Sequence, residues 1–218
     1  MEELSIRSRI IKAMSALSDV EFLQLLEGIH AADLAEVLET LEEEERTFIF
    51  EKLSPEMAAD VLVEFDQDER IELIASYSSE EIAQELVGNM DSDDAADLLS
   101  ELSDDLTREV LSQVEDVEQA KRIAQLLTHE EDTAGALMAT ELVKVSEDLT
   151  ALRCVAAMRN QAENIDKVHA VYVVNDDEIL VGTLSLKKLL TAKRTDNISD
   201  LYRPIEHSVL STVPAEDV

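Results

Sequence analysis

The sequence predicts a mainly α-helical first half followed by a small α+β domain. Three observations support this prediction. Apolar stripes with helical spacing repeat every 24 or 25 residues, the pattern changes to alternating strands near residue 140, and negative charge is concentrated in the first half. The chain has 218 residues and 45% apolar content, enough to bury one sizeable core or two modest ones. We therefore expect a folded, multi-domain chain.

An internal repeat organises the first half. Each repeat contains two apolar runs of about ten residues spaced i, i+3, i+4, i+7, the stripe of a short helix with one buried face. Helices this short are marginal alone and must stack on their neighbours, which predicts a helical superhelix (solenoid). Two further helices come first, and the basic one at 6–17 is a candidate cap of the stack. The four repeats begin at His30, Ser54, Ser78 and Ser103.

Serines at the joints between the runs predict where helices begin. A serine oxygen accepts a hydrogen bond from an unpaired first-turn amide, and the acidic residues that follow face the positive end of the helix dipole. Four serines fit this capping pattern: Ser54, Ser79, Ser92 and Ser103.

The second half predicts the order β, α, β, β, α. Strands are expected within 141–148, 167–174 and 179–185, and helices within 150–161 and 186–192. Residues 207–218 resemble 141–152, so we expect a second copy of the unit to begin there, with an unpaired strand at 208–213. We interpret Val218 as an artificial end of a longer protein. The predicted domains are 1–128, 129–203 and the truncated start at 204–218.

The net charge of -32, from 50 acidic and 18 basic residues, excludes nucleic acid and anionic membrane surfaces as direct partners. One cysteine permits no intrachain disulfide, and the chain does not start with a signal segment, which favours a cytosolic setting. No apolar stretch reaches the roughly 20 residues of a membrane helix. Catalysis is not expected, because neither a nucleophile with its base nor a glycine-rich phosphate loop is present.

The acidic residues are unevenly placed. Residues 91–105 hold seven carboxylates and no base, inside a gap between Arg70 and Arg108 that holds eleven acids and no base. Capping explains the first-turn acids, but Asp60 and Asp97 lie past the first turn, in "AAD" motifs that we take as equivalent positions of two repeats. Carboxylates about 5 Å apart repel by roughly 3 kcal/mol at an effective dielectric of 20. This cost indicates a missing cation.

Mg²⁺ fits this ligand set better than a transition metal does. The donors are hard carboxylate oxygens, and the four histidines are scattered along the chain. Because Mg²⁺ keeps most of its water and uses one or two carboxylates, the sites are expected to be weak and shared between domains, as in a sensor.

Four segments resemble the cytosolic part of the MgtE-type magnesium transporters and channels, across essentially the whole chain. They are "MAADVLVEF" at 57–65, "DDAADLLSEL" at 93–102, "EEDTAGALMATELVKVSEDLTAL" at 130–152 and "VYVVNDDEILVGTLSLKKLL" at 171–190. The resemblance implies an MgtE N-terminal domain, a first CBS domain and the start of a second. It further implies a connecting helix and a dimeric transmembrane pore in the same polypeptide, with this region at the cytoplasmic face of the membrane.

The same resemblance implies a role for individual residues. Asp60, Asp93 and Asp97 match the family's interdomain magnesium ligands in the N-terminal domain. Glu130 and Asp132 at the junction are our own additional candidates. The implied function is a Mg²⁺ sensor that binds the ion between acidic domains and closes the pore by feedback.

CBS domains often bind adenine nucleotides through Gly, two apolar residues, Ser or Thr, two residues and then Asp or Asn for the ribose. Here Gly182 and Ser185 match, but Lys188 replaces the acid. Lys187 and Lys188 would meet phosphates or simply solubilise the helix. Two alternatives therefore stay open: a soluble CBS nucleotide sensor, and an acidic helical scaffold for protein interaction.

Overall fold

The computed structural model describes residues 6–16, 18–130, 132–162, 165, 168 and 170–218. The chain divides into two compact units, Met1–His129 and Glu130–Val218. Each unit has a hydrophobic core of its own. The predicted fold class, a helical first half followed by a small α+β domain, is confirmed.

The first unit is built from short helices joined by tight turns. Helices α3 and α4, α5 and α6, α7 and α8, and α9 and α10 coincide with the four repeats, so the predicted helical pairs are confirmed. The helices are α1 (Ile6–Ala16), α2 (Asp19–Glu27), α3 (Ala31–Glu39), α4 (Glu43–Phe50), α5 (Pro55–Val63), α6 (Gln67–Ile74), α7 (Ser79–Glu81), α8 (Ser92–Ser100), α9 (Asp104–Gln113) and α10 (Val117–Leu126).

Apolar stripes hold these helices together. On α8, Ala95, Leu98 and Leu99 are at most 1% exposed, and this helix packs against α10. On α5, Val61 and Leu62 are fully buried, and this helix packs against α3. Because each stripe is buried by a neighbouring helix, no single repeat has a core of its own.

Two of the four predicted caps are confirmed and two are wrong by one residue. The hydroxyls of Ser54 and Ser103 each accept a hydrogen bond from a first-turn helix amide, as predicted. Before α7 the cap is Ser78 rather than Ser79, and Glu81 completes a reciprocal capping box with it. Before α8 the cap residue is Asp91, because Ser92 is buried and its Oγ accepts a hydrogen bond from Arg122 Nε at 3.3 Å.

The helix that begins with α7 changes its winding before α8. A π-helical turn over Ile82–Leu86 is followed by a 3₁₀ turn over Val87–Asn89. Gln119 on α10 is 8% exposed, and its amide donates to the carbonyls of Val87 at 3.0 Å and Met90 at 2.9 Å. One buried side chain therefore pairs two carbonyls that leave the regular helical ladder, immediately before the acidic helix starts.

The second unit contains a four-stranded sheet in the order β1-β2-β3-β4, with β1 parallel to β2 and the other pairs antiparallel. The predicted strands and helices at 141–192 are confirmed: α11 has the predicted length but starts one residue later, and the other elements are shorter than predicted. Residues 167 and 169 of the predicted second strand lie outside the described residues. The elements are β1 (Val143–Ser146), α11 (Ala151–Ala162), β2 (Val171–Val174), β3 (Leu180–Leu184), α12 (Leu186–Thr191) and β4 (Arg203–Pro204), with 3₁₀ turns at Ile198–Asp200 and Ala215–Asp217.

The predicted strand at 208–213 is wrong. These residues have irregular structure. They are hydrogen-bonded to residues 134 and 135, near the start of the second unit. The amide of Ala134 donates to the Val213 carbonyl at 2.7 Å, and that of Gly135 donates to Ser211 at 2.8 Å. Leu210 is 74% exposed. The alternating pattern predicted a strand, but Val209 and Leu210 are exposed and bury no apolar face. The carbonyls of Ser211 and Val213 accept their hydrogen bonds outside any strand.

We predict that Gln119→Leu destabilises the first unit by about 2 kcal/mol, because it leaves the carbonyls of Val87 and Met90 buried without a donor. Denaturant unfolding followed by circular dichroism measures this change. Gln125→Leu is the matched control on the exposed side of the same helix, and we expect it to stay within about 0.5 kcal/mol of the parent. Equal stability of the two variants would contradict the role of Gln119.

Candidate metal centre

Helix α8 carries a group of four aspartates, which we name the α8 carboxylate cluster: Asp91, Asp93, Asp94 and Asp97. One carboxylate oxygen from each of Asp91, Asp93 and Asp94 lies within 4.8 Å of the others. Asp97 follows one turn later and interacts electrostatically with both Asp93 and Asp94. The helical spacing sets the grouping of the aspartates, and the buried stripe of Ala95, Leu98 and Leu99 fixes the rotation of the helix and thus the direction in which they point.

Mutual repulsion and burial disfavour ionisation within the cluster. Burial, together with the charges of Asp93, Asp91 and Asp97, raises the pKa of Asp94 to about 6, against the opposing field of Arg70. Burial also raises the pKa of Asp97, where Arg70 again opposes the effect. The cluster is therefore a place where added positive charge is stabilising.

Arg70 on α6 is the cation that opposes these shifts. Its Nη2 forms an ion pair with Glu101 Oε1, at the end of α8, and the two side chains are 18% and 10% exposed. Arg70 Nε and Glu101 Oε2 are buried without a hydrogen-bond partner among the described residues. The pair therefore sits in a desolvated position beside the last turn of the acidic helix.

The structure brings some of the predicted ligands together and leaves others apart. Asp93 lies in the close group with Asp91 and Asp94, while Asp97, one turn later, is outside that group and interacts with it electrostatically. Asp60 lies on the exposed side of α5 and makes no hydrogen bond or ion pair with any described residue. The expected equivalence of Asp60 and Asp97 is wrong, because Asp60 is on the first helix of its repeat and Asp97 on the second helix of its own.

Glu130 and Asp132 belong to the second unit. Both are exposed, and Asp132 has a left-handed backbone with φ 58°. Their carbonyl oxygens have partners: Glu130 accepts from the Thr133 hydroxyl at 2.7 Å, and Asp132 from the Ala215 amide at 2.7 Å. Their role as metal ligands stays a prediction.

The three nucleotide-site candidates lie around the β3–α12 turn. A Cβ at Gly182 would overlap the Tyr202 ring and the Arg203 carbonyl, which explains the glycine. Ser185 is the N-cap residue of α12. Lys188 Nζ donates to the Leu201 carbonyl at 3.1 Å, so its ammonium group is held against the backbone of its own domain.

Sequence reasoning assigned Asp94 only to capping and did not consider Asp91. Both belong to the cluster, and the pKa of the Asp94 carboxyl is raised to about 6. The signal was present in the "DSDD" spacing, since a cap residue and the second and third helical residues are neighbours at a helix N-terminus. The prediction missed this grouping because it assigned the cap to Ser92 instead of Asp91.

The cluster offers only oxygen donors, and its members Asp91, Asp93 and Asp94 are, among the described residues, the one group of three or more such ligands close enough to share an ion. Hard oxygen ligands suit Mg²⁺ or Ca²⁺, and Mg²⁺ binds through one or two carboxylates while keeping several waters. The half-exposed position of the cluster leaves room for those waters. The residues therefore fit a hydrated Mg²⁺ ion.

Fold and site together define a class of protein: an acidic helical-repeat domain followed by a CBS-type α+β domain. Residues 29–132 match the model of the MgtE intracellular N domain, and residues 134–195 match that of the CBS domain. The chain is therefore an MgtE N-terminal domain followed by a CBS domain.

Curated relatives agree with this identification. The chain is 35% identical over 101 residues to the magnesium transporter MgtE of Enterococcus faecalis and 29% identical over 103 residues to that of Thermus thermophilus. These alignments cover 46% and 47% of this chain but 22% and 23% of the relatives. The matched part thus spans less than a quarter of either relative.

Two solved structures share the fold over nearly the whole chain. One is described as the soluble part of a magnesium transporter, with a TM-score of 0.81 and 27% identity, covering 97% of this chain and 83% of that one. The other is the cytosolic domain of the Mg²⁺ channel MgtE in complex with ATP, with a TM-score of 0.87 and 25% identity, covering 98% and 86%. Separately, none of the helices within the described residues is long and apolar enough to span a bilayer.

We predict that Asp94→Asn stabilises the first unit at pH 7 to 8 by about 1 kcal/mol, a value reduced for the solvent screening of a half-exposed group. The folded pKa of about 6 lies above the unfolded value of 3.8, so stability falls as pH rises between these values. Well below pH 3.8 both states are protonated, so the gain should shrink steadily as pH falls from 6 toward 3.5.

Thermal melts of the parent and the variant from pH 3.5 to 8 check this prediction. Asp105→Asn, at an exposed carboxylate of α9, is the control and should give no stabilisation that grows between pH 4 and 6. A constant offset of Asp94→Asn across the whole range would refute the electrostatic origin.

Proposed function

We propose that this chain is the cytosolic Mg²⁺-sensing region of a magnesium transporter or channel. The observation that carries the proposal is the α8 carboxylate cluster, located within the segment that matches the MgtE intracellular N domain. The names of the relatives and of the two similar structures support magnesium as the ion. As an ion-responsive regulatory region, the chain needs no enzymatic activity.

Sensing follows from the charge of the cluster. Without a divalent ion, the aspartates of α8 repel one another and repel any other acidic surface of the full-length protein. A bound Mg²⁺ reverses the sign of that interaction, and ligands from elsewhere in the full-length protein would complete its coordination. Several weak sites of this kind act together as a steep response to concentration.

Regulation then follows from thermodynamic linkage. If one conformation of the transporter binds Mg²⁺ more tightly, the ion shifts the population toward that conformation. We assign the tighter binding to the closed state, because a pore that closes when Mg²⁺ is plentiful is inhibited by the ion that it transports. The pore belongs to the same polypeptide in this proposal.

The proposal includes a homodimer formed through the second unit. Leu152 on α11 and Leu190 on α12 are 55% and 81% exposed, and both border an apolar groove between these helices. Apolar side chains at such exposure are typical of surfaces that a partner covers. A dimer would also let two sensing domains act on one pore.

We predict that replacing Asp60, Asp93 and Asp97 by Ala raises the Mg²⁺ concentration needed to close the full-length transporter by roughly tenfold, while transport in low Mg²⁺ is unchanged. In this chain, a free ion at ten times its Kd stabilises the bound state by about 1.4 kcal/mol. That stabilisation corresponds to about 3 to 6 °C in Tm. Thermal melts in MgCl₂ and in NaCl of equal ionic strength measure it.

The matched control replaces three exposed first-turn acids, Glu56, Glu80 and Asp104, by Ala, which removes the same charge. It should leave both the closing midpoint and the Mg²⁺-dependent rise in Tm close to the parent values. If the control shifts the midpoint and the variant at Asp60, Asp93 and Asp97 does not, the assignment of the ligands is refuted. A parent Tm that is identical in the two salts refutes specific binding.

Adenine nucleotide binding by the CBS domain is a second candidate function, favoured by the ATP complex of a similar structure. Lys188 occupies the position where the family pattern has a ribose-binding acid, and its ammonium group is bonded to the Leu201 carbonyl. Weak binding is therefore the expectation for this chain.

We predict that Lys188→Asp tightens ATP binding at least fivefold, because it restores the acceptor for the ribose hydroxyls. Isothermal titration with ATP measures the change, and Lys187→Asp is the control with the same charge change one residue away. If Lys188→Asp weakens binding as much as the control, Lys188 contacts phosphate and the ribose argument is wrong.

A further inference from the structure

Two arginines of the first unit occupy the same position in successive repeats, one period apart. Arg46 lies on α4 and Arg70 on α6, each on the second helix of its repeat, and their side chains are 12% and 18% exposed. Each reaches across to a carboxylate of a later helix. Arg46 pairs with Glu69 at 2.9 Å and Glu72 at 3.2 Å, while Arg70 pairs with Glu101.

The two arginines differ in what else lies near them. Glu101, the partner of Arg70, lies four residues after Asp97 and therefore on the same face of α8, and the field of Arg70 lowers the pKa of both Asp94 and Asp97. The partners of Arg46 lie on α6 instead. Beyond Arg70 the chain has no base until Arg108, which pairs with Asp105 on the exposed side of α9. Arg122 also lies beside the start of α8, where its Nε donates to Ser92, but Arg70 is the arginine whose field lowers the pKa of Asp94 and Asp97. Arg70 is thus a cation that the fold holds beside the later turn of the cluster.

We propose that Arg70 is a tethered counter-cation that competes with Mg²⁺ for the α8 carboxylate cluster and thereby sets the concentration at which the cluster responds. The inference rests on the proposed function and specifies how that site is regulated. Glu101 takes part by holding the guanidinium group away from the aspartates, since the ion pair directs Nη2 toward the end of α8.

Burial makes this competition effective. A fully solvated arginine would be screened by water and salt within about 10 Å, whereas Arg70 is mostly enclosed and one of its nitrogens has no partner among the described residues. Its charge is therefore felt by the neighbouring carboxylates. A divalent ion that binds there has to act against a positive charge that cannot diffuse away.

The two members of the ion pair give opposite expectations. Arg70→Met removes the competing charge and should lower the apparent Kd for Mg²⁺ by roughly three- to tenfold, the effect expected of a nearby unit charge on a divalent ion in salt. Glu101→Gln frees the guanidinium group to turn toward Asp94 and Asp97 and should raise the Kd roughly two- to fivefold.

Isothermal titration of the whole chain with MgCl₂ at pH 8, at constant ionic strength, tests the proposal. Arg46→Met is the matched control, because it removes the same charge from the same repeat position, and its Kd should stay within twofold of the parent. Arg70→Lys should restore most of the parent Kd. A melt of each variant without Mg²⁺ identifies any that is unfolded at the titration temperature, and Arg70→Gln and Glu101→Met then replace it.

The outcomes separate this proposal from the proposed function. If the parent binds Mg²⁺ and Arg70→Met and Arg46→Met change the Kd equally, the effect is one of net charge and the role of Arg70 is refuted. If Arg70→Met and Glu101→Gln shift the Kd in the same direction, the pair acts only through structure and the proposal fails. If neither the parent nor any variant binds Mg²⁺, the proposed function fails as well.

Discussion

The structure of the first unit depends on one constraint: its helices are too short to be stable alone and must bury their apolar stripes against neighbouring repeats. This requirement fixes the rotation of every helix. On α8, burial of Ala95, Leu98 and Leu99 leaves the aspartates no alternative orientation, so they stand together despite their repulsion. Hydrophobic packing stabilises an arrangement of charge that electrostatics alone would disperse.

Much of this fold could be predicted from the sequence because period and apolar spacing are local signals. The helical pairs and the strands of the second unit follow directly from them. The failures arose where a tertiary contact decided between close alternatives. Ser92 has the chemistry of a cap, but its contact with Arg122 moved the cap to Asp91. The segment at 208–213 has the alternation of a strand, but its hydrogen bonds go to the segment near Gly135.

The candidate site was less predictable, because a metal site depends on distances between helices as well as on spacing within one. The grouping of Asp93 and Asp97 could be predicted from their one-turn separation. The participation of Asp91 required the correct helix start, and the influence of Arg70 required knowing that α6 packs beside the end of α8. In the sequence, Arg70 is 21 residues or more away from the aspartates of the cluster, but the fold places it next to Glu101 at the end of α8.

The proposed sensor responds to an abundant ion, Mg²⁺, and therefore needs a site with low affinity. Two features of the fold would lower the affinity of the carboxylates for this ion. One route is to use few ligands, but this chain has many acids, and a strongly negative surface would otherwise hold divalent ions at all concentrations. Partial burial and a nearby guanidinium group both act against a high affinity, since the first disfavours the charged carboxylate and the second supplies part of the counter-charge. In the proposed sensor, the residual charge would attract Mg²⁺ without holding it tightly. Affinity in such a cluster is thus determined by the packing of the helices around it as much as by the number of its ligands.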